Sequence, residues 1–532
     1  YKYLYSMDTS YFNPFVLSVL ILIPILGAGL VLILPRALAK PLGLLISAGN
    51  FICALHLIAY WNHSVGTGGF HYENLVPWLP QFGINFHLGI DGLSLWMILL
   101  TVFLAPILFL TMWENLTERV KGQVALLLLL EGLLIGVFSS IDVMVFYIFW
   151  EAVLIPIYLL MIGWGGAGRV RAAIKLFIYT MLGSVLMWVA MMYLYFHQAN
   201  PSFDYSAMLA AAHSLDAARG TAALALFGAF AIAFAIKVPL FPLHTWQPDA
   251  YSESPVSATV MLAAVLSKMG IYGFIRFAIT FFPNAATYLA PIFIILGIIA
   301  IIYGAMIAIR QTDFKRLLAY SSISHLGLIV VSIFAAMLAT EYGDIAMSGA
   351  VLQMLAHGVA VAALFMLMEA LQQRRGTRDI SEFGGIAKQM PLFTSLFWIA
   401  LFASIGLPGL CSFVGEYLML QGIMQVNFIY AFLACTSVIW GAIYMLRLFG
   451  KLMFGEITHE QNKKILTLRP AEGVALALVL AMTVWIGVLP QHFLDPINNT
   501  THRFIATYNT NSSLSKAQAE LPERSRVTKN AE

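Results

Sequence analysis

The chain has 532 residues, of which 60% are hydrophobic and 10% are charged. Its mean hydropathy is +0.84 and its formal net charge is +3, so the composition excludes an ordinary soluble globular protein and gives no sign of a nucleic-acid partner. It indicates an integral membrane protein that crosses the bilayer many times.

Apolar runs of about 20 residues recur from Pro14 to Leu489, and most connectors between them are short. Because a run of that length spans the hydrocarbon core as a helix, the sequence predicts an all-α polytopic membrane protein with about 14 transmembrane helices. The predicted spans are 14–35, 41–61, 92–113, 123–140, 143–163, 172–196, 221–247, 255–281, 288–309, 315–338, 345–372, 390–421, 427–453 and 470–490.

Basic residues gather in the connectors that follow the odd-numbered predicted helices. They are Arg36, Lys40, Arg119, Lys121, Arg169, Arg171, Lys175, Arg310, Lys315, Arg316, Arg374, Arg375, Arg378, Lys388, Lys451, Lys463, Lys464 and Arg469. Since basic connectors stay on the cytoplasmic side, both termini are expected on the outer, periplasmic face of a bacterial inner membrane or an equivalent energy-coupling membrane. This arrangement requires an even number of helices.

Segments outside the spans carry patterns of their own. Residues 82–92, FGINFHLGIDG, alternate in polarity with a period of two, which predicts a small hairpin on the outer face. The polar tail after His502 is expected to be disordered. The first six residues, YKYLYS, are interpreted as an artefact of the start site.

Three cysteines, Cys53, Cys411 and Cys435, stand singly in apolar segments. A lone cysteine there behaves as a small hydrophobe, so neither a disulfide framework nor a metal or iron–sulfur site is expected. The chain itself is expected to carry no redox centre and no cofactor.

Titratable residues interrupt the apolar spans. They are Glu131, Glu151, Lys237, Lys268, His325, His357 and Glu416. An ionised side chain at mid-membrane costs about 2.5–3.5 kcal/mol on insertion scales, so each needs a partner, water or a function. Buried ion pairs or polar contacts between helices would explain a single residue of this kind. Acids and bases spread over six or more helices favour a hydrated chain of proton-exchanging groups.

Two predicted helices are interrupted. The stretch AIKVPLFPLHTWQPDA places two prolines directly after Lys237, and SIGLPGLCSFVGEY places Gly-Leu-Pro-Gly before Glu416. Each break frees backbone groups that hold ions and water at mid-membrane. Breaks in the seventh and twelfth helices predict two inverted repeats, helices 4–8 and 9–13, with two unrelated proline kinks as the alternative.

Several of these stretches together resemble a known family. They are LGIDGLSLWMILLT, FYIFWEAVLIPIYLL, KVPLFPLHTWQPDA, SKMGIYGFIRF, QTDFKRLLAYSSISHLG, MLAHG and GLPGLCSFVGEY. Over about residues 85 to 455 the chain is similar to the antiporter-like subunits of respiratory complex I, the proton-translocating NADH:quinone oxidoreductase. Other members of the family usually have lysine at the position of Glu416. In having an acid there, the chain is similar to the M type, the mitochondrial subunit-4 type.

The resemblance implies a role for each titratable residue. Glu151 and Lys237 match the ion pair of a first half-channel, Lys268 matches the central relay, and Glu416 matches the group of the second half-channel. The residues that match histidines of the connecting hydrated path are His244, His325 and His357. Glu131 is a secondary candidate, because the family does not require an acid there.

The resemblance also implies the setting in which the chain works. A membrane-arm subunit of this kind couples quinone reduction elsewhere in the complex to proton pumping. NADH, FMN, iron–sulfur clusters and quinone are expected in partner subunits, and the neighbours are expected to be L- and N-type antiporter-like subunits and lipids. The alternatives are an Mrp-type cation/proton antiporter subunit, the equivalent subunit of a photosynthetic ferredoxin-dependent complex, or a scaffold whose charges only pair.

The expected domain division follows the helices and the two repeats. Residues 1–122 form the N-terminal helices with the hairpin loop, 123–281 the first antiporter-like repeat and 288–453 the second. Residues 454–490 hold the final helix, and 491–532 the polar tail.

Overall fold

The computed structural model describes residues 15–65, 69–339, 341–457 and 459–529, and the side chains of all of these except residues 63 and 511–529. The first six residues, interpreted as a start-site artefact, lie outside them.

Helices form most of the described chain. Those of the first half are α1 (Val16–Ile33), α2 (Arg36–Ala59), α3 (Gly92–Met112), α4 (Val120–Ser139), α5 (Val143–Ala152), α6 (Leu154–Trp164), α7 (Arg169–Phe196), α8 (Tyr205–Ala217), α9 (Thr221–Lys237), α10 (Trp246–Glu253), α11 (Val256–Met261) and α12 (Ser267–Gly273). Those of the second half are α13 (Pro283–Arg310), α14 (Phe314–Ala336), α15 (Gly343–Arg375), α16 (Ile386–Gln389), α17 (Pro391–Ser404), α18 (Cys411–Val426), α19 (Phe428–Met453), α20 (Pro470–Val488) and α21 (Gln491–Lys529).

Among the described residues, 12 helical segments are long and apolar enough to cross a membrane. Two shorter apolar helices, α9 and α17, stop at the predicted breaks. The all-α, multi-pass fold is therefore confirmed, while the number 14 stays a prediction.

Both predicted breaks are present. α9 ends at Lys237 and α10 begins at Trp246, and α17 ends at Ser404 before α18 begins at Cys411. The structure adds an interruption between α5 and α6, directly after Glu151. Pro156 accounts for it, because its ring has no N–H and crowds the carbonyl of the residue four positions earlier.

A two-stranded sheet covers one end of the helix bundle. β1 (His71–Leu79) pairs antiparallel with β2 (Ile84–Ile90), from His71 opposite Ile90 to Leu79 opposite Ile84. The predicted hairpin is confirmed. The end of the bundle that carries β1, β2, α8 and α21 is called the hairpin face, and the opposite end, which carries the 165–169 and 374–389 connectors, is called the connector face.

The expected disorder after His502 is wrong. α21 runs along the hairpin face from Gln491 to Lys529, with Phe493 fully buried and its carbonyl accepting a 3.0 Å hydrogen bond from Trp96. Polarity alone predicted disorder, but the stretch SKAQAEL consists largely of good helix formers, and α21 begins from an anchored apolar turn.

Burial sorts the helices into an inner and an outer set. The segment 256–279, α14 and α15 are almost wholly enclosed, whereas α1, α2, α7, α13, α19 and α20 leave much of their apolar surface exposed. Exposed side chains such as Leu26, Leu182 and Ile292 suit lipid. The enclosed helices carry Lys268, His325 and His357, so these polar groups lie inside the protein.

Candidate proton-relay site

Lys268 lies at the centre of the enclosed helices. Its Nζ donates to the Nδ1 of His357 at 2.7 Å and to the carbonyl of Ala263 at 2.6 Å. Two π-helical segments, Leu262–Leu266 and Phe274–Ile279, flank it in the same span. Such widened turns leave carbonyls outside the regular ladder and are frequent at functional sites, which accounts for the carbonyl of Ala263 being available to Lys268.

The two path histidines continue from Lys268 toward α18. The rings of His357 and His325 lie 5.5 Å apart between centroids. On its far side His325 places Nδ1 3.5 Å from the Oε1 of Glu416, a distance at the outer limit of a hydrogen bond. One line of proton-exchanging groups therefore joins Lys268, His357, His325 and Glu416, and it is called the central line.

Glu416 is held against the break between α17 and α18. Its Oε1 accepts a hydrogen bond from Gln353 at 3.2 Å, and its other oxygen lies where a side chain on Gly406 would project. A Cβ built on Gly406 would meet Oε2 at 2.5 Å, and Gly406 has a φ of +77°. The glycine of the break thus makes room for the carboxylate.

Two hydroxyl groups border the central line and were missed by the sequence analysis. The Oη of Tyr444 lies 3.5 Å from the Nε2 of His325 and 2.9 Å from the Oγ of Ser321. Tyrosine and serine are common in apolar helices, so no sequence pattern distinguishes them. A signal would have required knowing that α14 and α19 face each other.

Lys237 forms a separate cluster with the end of α5. Its Nζ donates to the carbonyl of Trp150 at 3.1 Å and lies 4.0 Å from the centroid of the Trp150 ring. In this structure Lys237 is directed to the Trp150 carbonyl and forms no ion pair with Glu151, and the Oε1 of Glu151 is buried without a hydrogen-bond partner among the described residues. Glu151 directly follows Trp150 on α5, so it is the neighbour in the chain of the residue whose carbonyl Lys237 binds.

His244 lies on the connector side of the first break, apart from both clusters. Its ring makes an edge contact with Tyr303 at 5.1 Å, and its buried Nδ1 has no hydrogen-bond partner. Lys175 of α7 donates to the carbonyl of the next residue, Thr245, at 2.7 Å.

Glu131 faces a different set of helices. Its Oε1 accepts a 2.8 Å hydrogen bond from Asn50 of α2, and the Asn50 amide also reaches the carbonyl of Leu20 of α1. Its Oε2 is buried without a partner. No hydrogen bond among the described residues joins it to Lys237 or to the central line.

Ion pairs on the connector face fix the helix that follows the first break. Asp249 of α10 binds Lys175 of α7 and Arg316 of α14, each at 2.8 Å. Arg378 of the 374–389 connector binds Glu253 at 2.9 Å. These contacts connect α10 to both predicted repeats.

Within the described ranges, no group of three or more histidine, cysteine, aspartate or glutamate residues is placed to hold a metal ion.

A membrane bundle with two broken helices and a buried line of lysine, histidine and glutamate defines an ion-translocating class of protein. Residues 140–443, more than half of the chain, match the family described as NADH:quinone oxidoreductase/Mrp antiporter, TM. The chain belongs to this family.

Relatives and solved structures narrow the similarity. The chain is 37% identical to NADH-quinone oxidoreductase subunit M of Rickettsia prowazekii, over 85% of this chain and 89% of that protein. It is similar to a chain of respiratory complex I from Thermus thermophilus, with a TM-score of 0.81 and 32% identity over 92% of this chain and 99% of that one. The predicted resemblance to the M type is confirmed.

The Mrp complex of Dietzia sp. DQ12-45-1b contains a chain of the same fold. Its TM-score is 0.80, with 18% identity over 94% of this chain and 99% of that one. At this identity the similarity concerns the fold alone.

Proposed function

We propose that this chain is an M-type, proton-translocating membrane-arm subunit of an NADH:quinone oxidoreductase. The observation that carries the proposal is the central line, which runs through helices enclosed by the rest of the bundle. Lysine, histidine and glutamate can each take up and release a proton, and an enclosed line of them has no counterpart in a chain whose charges only pair.

The geometry supports a path along which protons can move in either direction. A proton on Lys268 transfers along the 2.7 Å hydrogen bond to His357, leaving a neutral amine and an imidazolium. The 5.5 Å between the rings of His357 and His325 is bridged by a water molecule or by ring rotation. His325 then passes the proton to Glu416, which becomes a carboxylic acid.

Lys237 and Glu151 are proposed to control the charge that Lys268 experiences. In this structure Lys237 is directed to the Trp150 carbonyl, and the Oε1 of Glu151 is buried without a hydrogen bond to the described residues. Closing the ion pair would remove a free positive charge from the vicinity of Lys268 and a free negative charge from α5. A change in this pair therefore alters the proton affinity of the central line.

His244 is proposed to supply protons from the connector face, because it lies within the first break and precedes Thr245, whose carbonyl accepts a 2.7 Å hydrogen bond from Lys175. Glu131 is proposed to lie outside the path, since its hydrogen bond leads to α2 and away from the central line.

Redox chemistry is proposed to take place in partner subunits, which would carry NADH, FMN, iron–sulfur clusters and quinone. The chain would contact L- and N-type antiporter-like neighbours and lipids through its exposed apolar helices. We place the hairpin face and both termini on the outer, periplasmic side. The division into 1–122, 123–281, 288–453, 454–490 and 491–532 is proposed to describe the N-terminal part, the two repeats, the final helix and the tail.

A cation/proton antiporter subunit is the second candidate, favoured by the fold shared with the Mrp complex. The relatives at higher identity favour the quinone-coupled function. Replacing sodium by choline in the assay medium separates the two, because quinone-coupled proton pumping continues without sodium.

The proposed function is tested in the intact membrane complex, reconstituted in vesicles, by measuring proton uptake and quinone reduction together. Glu416→Asp keeps an exchangeable proton one methylene shorter, whereas Glu416→Lys reverses the charge beside His325. Protons pumped per quinone reduced should fall more for Glu416→Lys than for Glu416→Asp. The matched control is Glu131→Gln, which removes a buried carboxylate outside the central line and should pump as the wild type does.

Equal pumping by Glu416→Asp, Glu416→Lys and Glu416→Ala would contradict the role of Glu416. A similar loss in Glu131→Gln would show that the effect belongs to any buried acid of the bundle.

A further inference from the structure

A cavity of about 310 Å³ lies on the hairpin face, where α8, α15 and α21 meet the end of the 256–279 span. It is called the outer vestibule. Its polar lining includes Asp91, Tyr205, His213, Arg276, Thr500 and Arg503. Two of the lining residues, Arg503 and Thr507, are exposed at the protein surface, so the vestibule opens outward. It has room for several water molecules and polar partners to hold them.

A buried ion pair forms the inner wall of the vestibule. The Nη2 of Arg276 lies 2.6 Å from the Oδ2 of Asp91, and the two side chains are 11% and 12% exposed. The Oδ1 of Asp91 accepts bonds from the backbone N–H groups of Leu93 and Ser94 and so caps α3. One oxygen of Asp91 thus caps a helix, while the other, within the described residues, binds Arg276 alone.

Within the described residues, Arg276 has one ion-pair partner, Asp91. Its Nε is buried without a hydrogen-bond partner. Its guanidinium carbon lies 5.1 Å from the centroid of the Phe70 ring and 5.4 Å from that of Tyr272. Ring faces attract the cation without fixing its direction. The guanidinium can therefore turn from Asp91 while remaining over the rings.

The pair lies in line with the central relay. Lys268, Tyr272 and Arg276 follow one another at intervals of four, so they share one helix face. At 1.5 Å per residue, Arg276 is about 12 Å along the axis from Lys268. The Tyr272 ring packs beside the guanidinium of Arg276, and the Oγ of Ser94 donates to the Oδ1 of Asp91 at 3.3 Å. The second π-helical segment begins two residues after Tyr272.

We propose that the outer vestibule is a proton exit, in which Asp91 takes up the proton that leaves Lys268 by way of Tyr272 and Ser94, and Arg276 is the gate. This inference rests on the proposed function. When Arg276 turns toward the rings, Asp91 accepts a proton and becomes a carboxylic acid, and Lys268 is left as a neutral amine. Asp91 then releases the proton to water in the vestibule, and the carboxylate pairs with Arg276 again.

The test separates a proton exit from an ion pair that only fastens α3 to its neighbour. In Asp91→Asn combined with Arg276→Gln, the asparagine still caps α3 and the two amides can bond to each other. Neither amide can take up and release a proton. The double variant should lose protons pumped per quinone reduced in the reconstituted complex. A purely structural pair would be replaced by the amide pair, and wild-type pumping by the double variant would overturn the proposal.

A second measurement does not depend on the double variant assembling. In a chain with Cys53→Ser and Cys435→Ser, a single Thr507→Cys lines the vestibule, whereas Ala506→Cys lies beside it on α21 outside the lining. A bulky, membrane-impermeant thiol reagent added from the hairpin side should lower pumping by Thr507→Cys and leave Ala506→Cys unchanged. Equal pumping by the two labelled variants would overturn the exit.

The Glu416 series keeps the two proposals distinguishable. If that series behaves as expected while the Asp91 and Thr507 variants pump normally, only the exit is wrong. If the Glu416 variants all pump equally, the central line itself fails.

Discussion

At the scale of the residue, Lys268 shows why burial is informative. Its side chain is fully enclosed, and its hydrogen bonds go to one carbonyl and one imidazole, with no ion pair to a carboxylate of the described residues. A permanently charged ammonium would be costly here without a paired acid, so a group that gives up its proton fits the site better. Within the central line, the hydrogen-bonded partner with which Lys268 can exchange this proton is His357.

His357→Gln tests the transfer between these two residues. The amide oxygen of glutamine can accept the hydrogen bond from Lys268, but it cannot carry the proton onward. We expect an assembled complex with reduced protons pumped per quinone. Vesicle pumping assays provide the measurement, with His56→Gln, a half-buried histidine of α2, as the control. Normal pumping by His357→Gln would remove His357 from the path.

At the scale of the element, the break before α18 positions a carboxylate as well as ending a helix. Gly406 and Gly409 both have positive φ, +77° and +90°, but only Gly406 faces Glu416, whereas the space around Gly409 is open. An alanine at either glycine would strain the backbone, but only an alanine at Gly406 would also displace the carboxylate of Glu416.

We expect Gly406→Ala to lower pumping more than Gly409→Ala. Each alanine pays about 1–2 kcal/mol for a left-handed backbone. At Gly406 the methyl group also pushes the Oε2 of Glu416 away, which disturbs its contacts with Gln353 and His325. The thermal stability of the purified complex should fall similarly in both variants. Equal pumping by the two would show that the carboxylate position is unimportant.

The docking of the hairpin is expected to depend on pH. His87 of β2 binds Asp204 at 2.9 Å and Glu73 at 3.1 Å. Burial opposes protonation of His87, but the hydrogen bonds and charges of these two acids outweigh it and raise its pKa. The bond to His87 is also the main reason that the pKa of Asp204 is lowered to about 2.

These shifts set the expected direction of the pH effect. The ion pairs of protonated His87 stabilise the docked hairpin fully below pH of about 6.5. This contribution to stability is lost as the pH rises through the raised pKa of His87. The Asp204 contribution is present above pH of about 4 and is lost only as the pH falls toward its lowered value. Hydrogen exchange of β2, corrected for its intrinsic pH dependence, should therefore show less protection at pH 8.5 than at pH 6. His87→Gln should abolish the difference, and a persistent difference would assign it to other groups.

Local patterns predicted some of these elements and not others. Proline and glycine residues predicted both main breaks, and alternating polarity predicted β2. These signals can be recognised in the sequence because each determines the conformation of the backbone next to it. The π-helical turns around Lys268 and the Tyr444–His325 contact depend on helices packed from distant parts of the chain. The interruption after Glu151 has a local cause in Pro156, but a single proline is tolerated in many membrane helices, including α1 and α3.

At the scale of the whole molecule, the enclosed and the exposed helices have different roles. The exposed set provides apolar surface, and the enclosed set holds the polar residues at a distance from lipid. The breaks, the central line and the outer vestibule all lie within or beside the enclosed helices. The hairpin and α21 lie at one end of this arrangement, and the Asp249 network lies at the other.

The orientation of the molecule is the prediction that belongs to this scale. The connectors rich in lysine and arginine lie together on the connector face, so that face should be cytoplasmic, and α21 should lie on the outer side. Exposed positions suitable for single cysteines are Lys388 in the connector and Ala506 in α21, in a background of Cys53→Ser and Cys435→Ser. A membrane-impermeant maleimide added to intact cells or spheroplasts should label Ala506→Cys, and Lys388→Cys only after the membrane is opened. Labelling of both positions from the same side would contradict the topology. Labelling of Lys388→Cys alone would invert it, and the outer vestibule would then face the side from which protons are taken up.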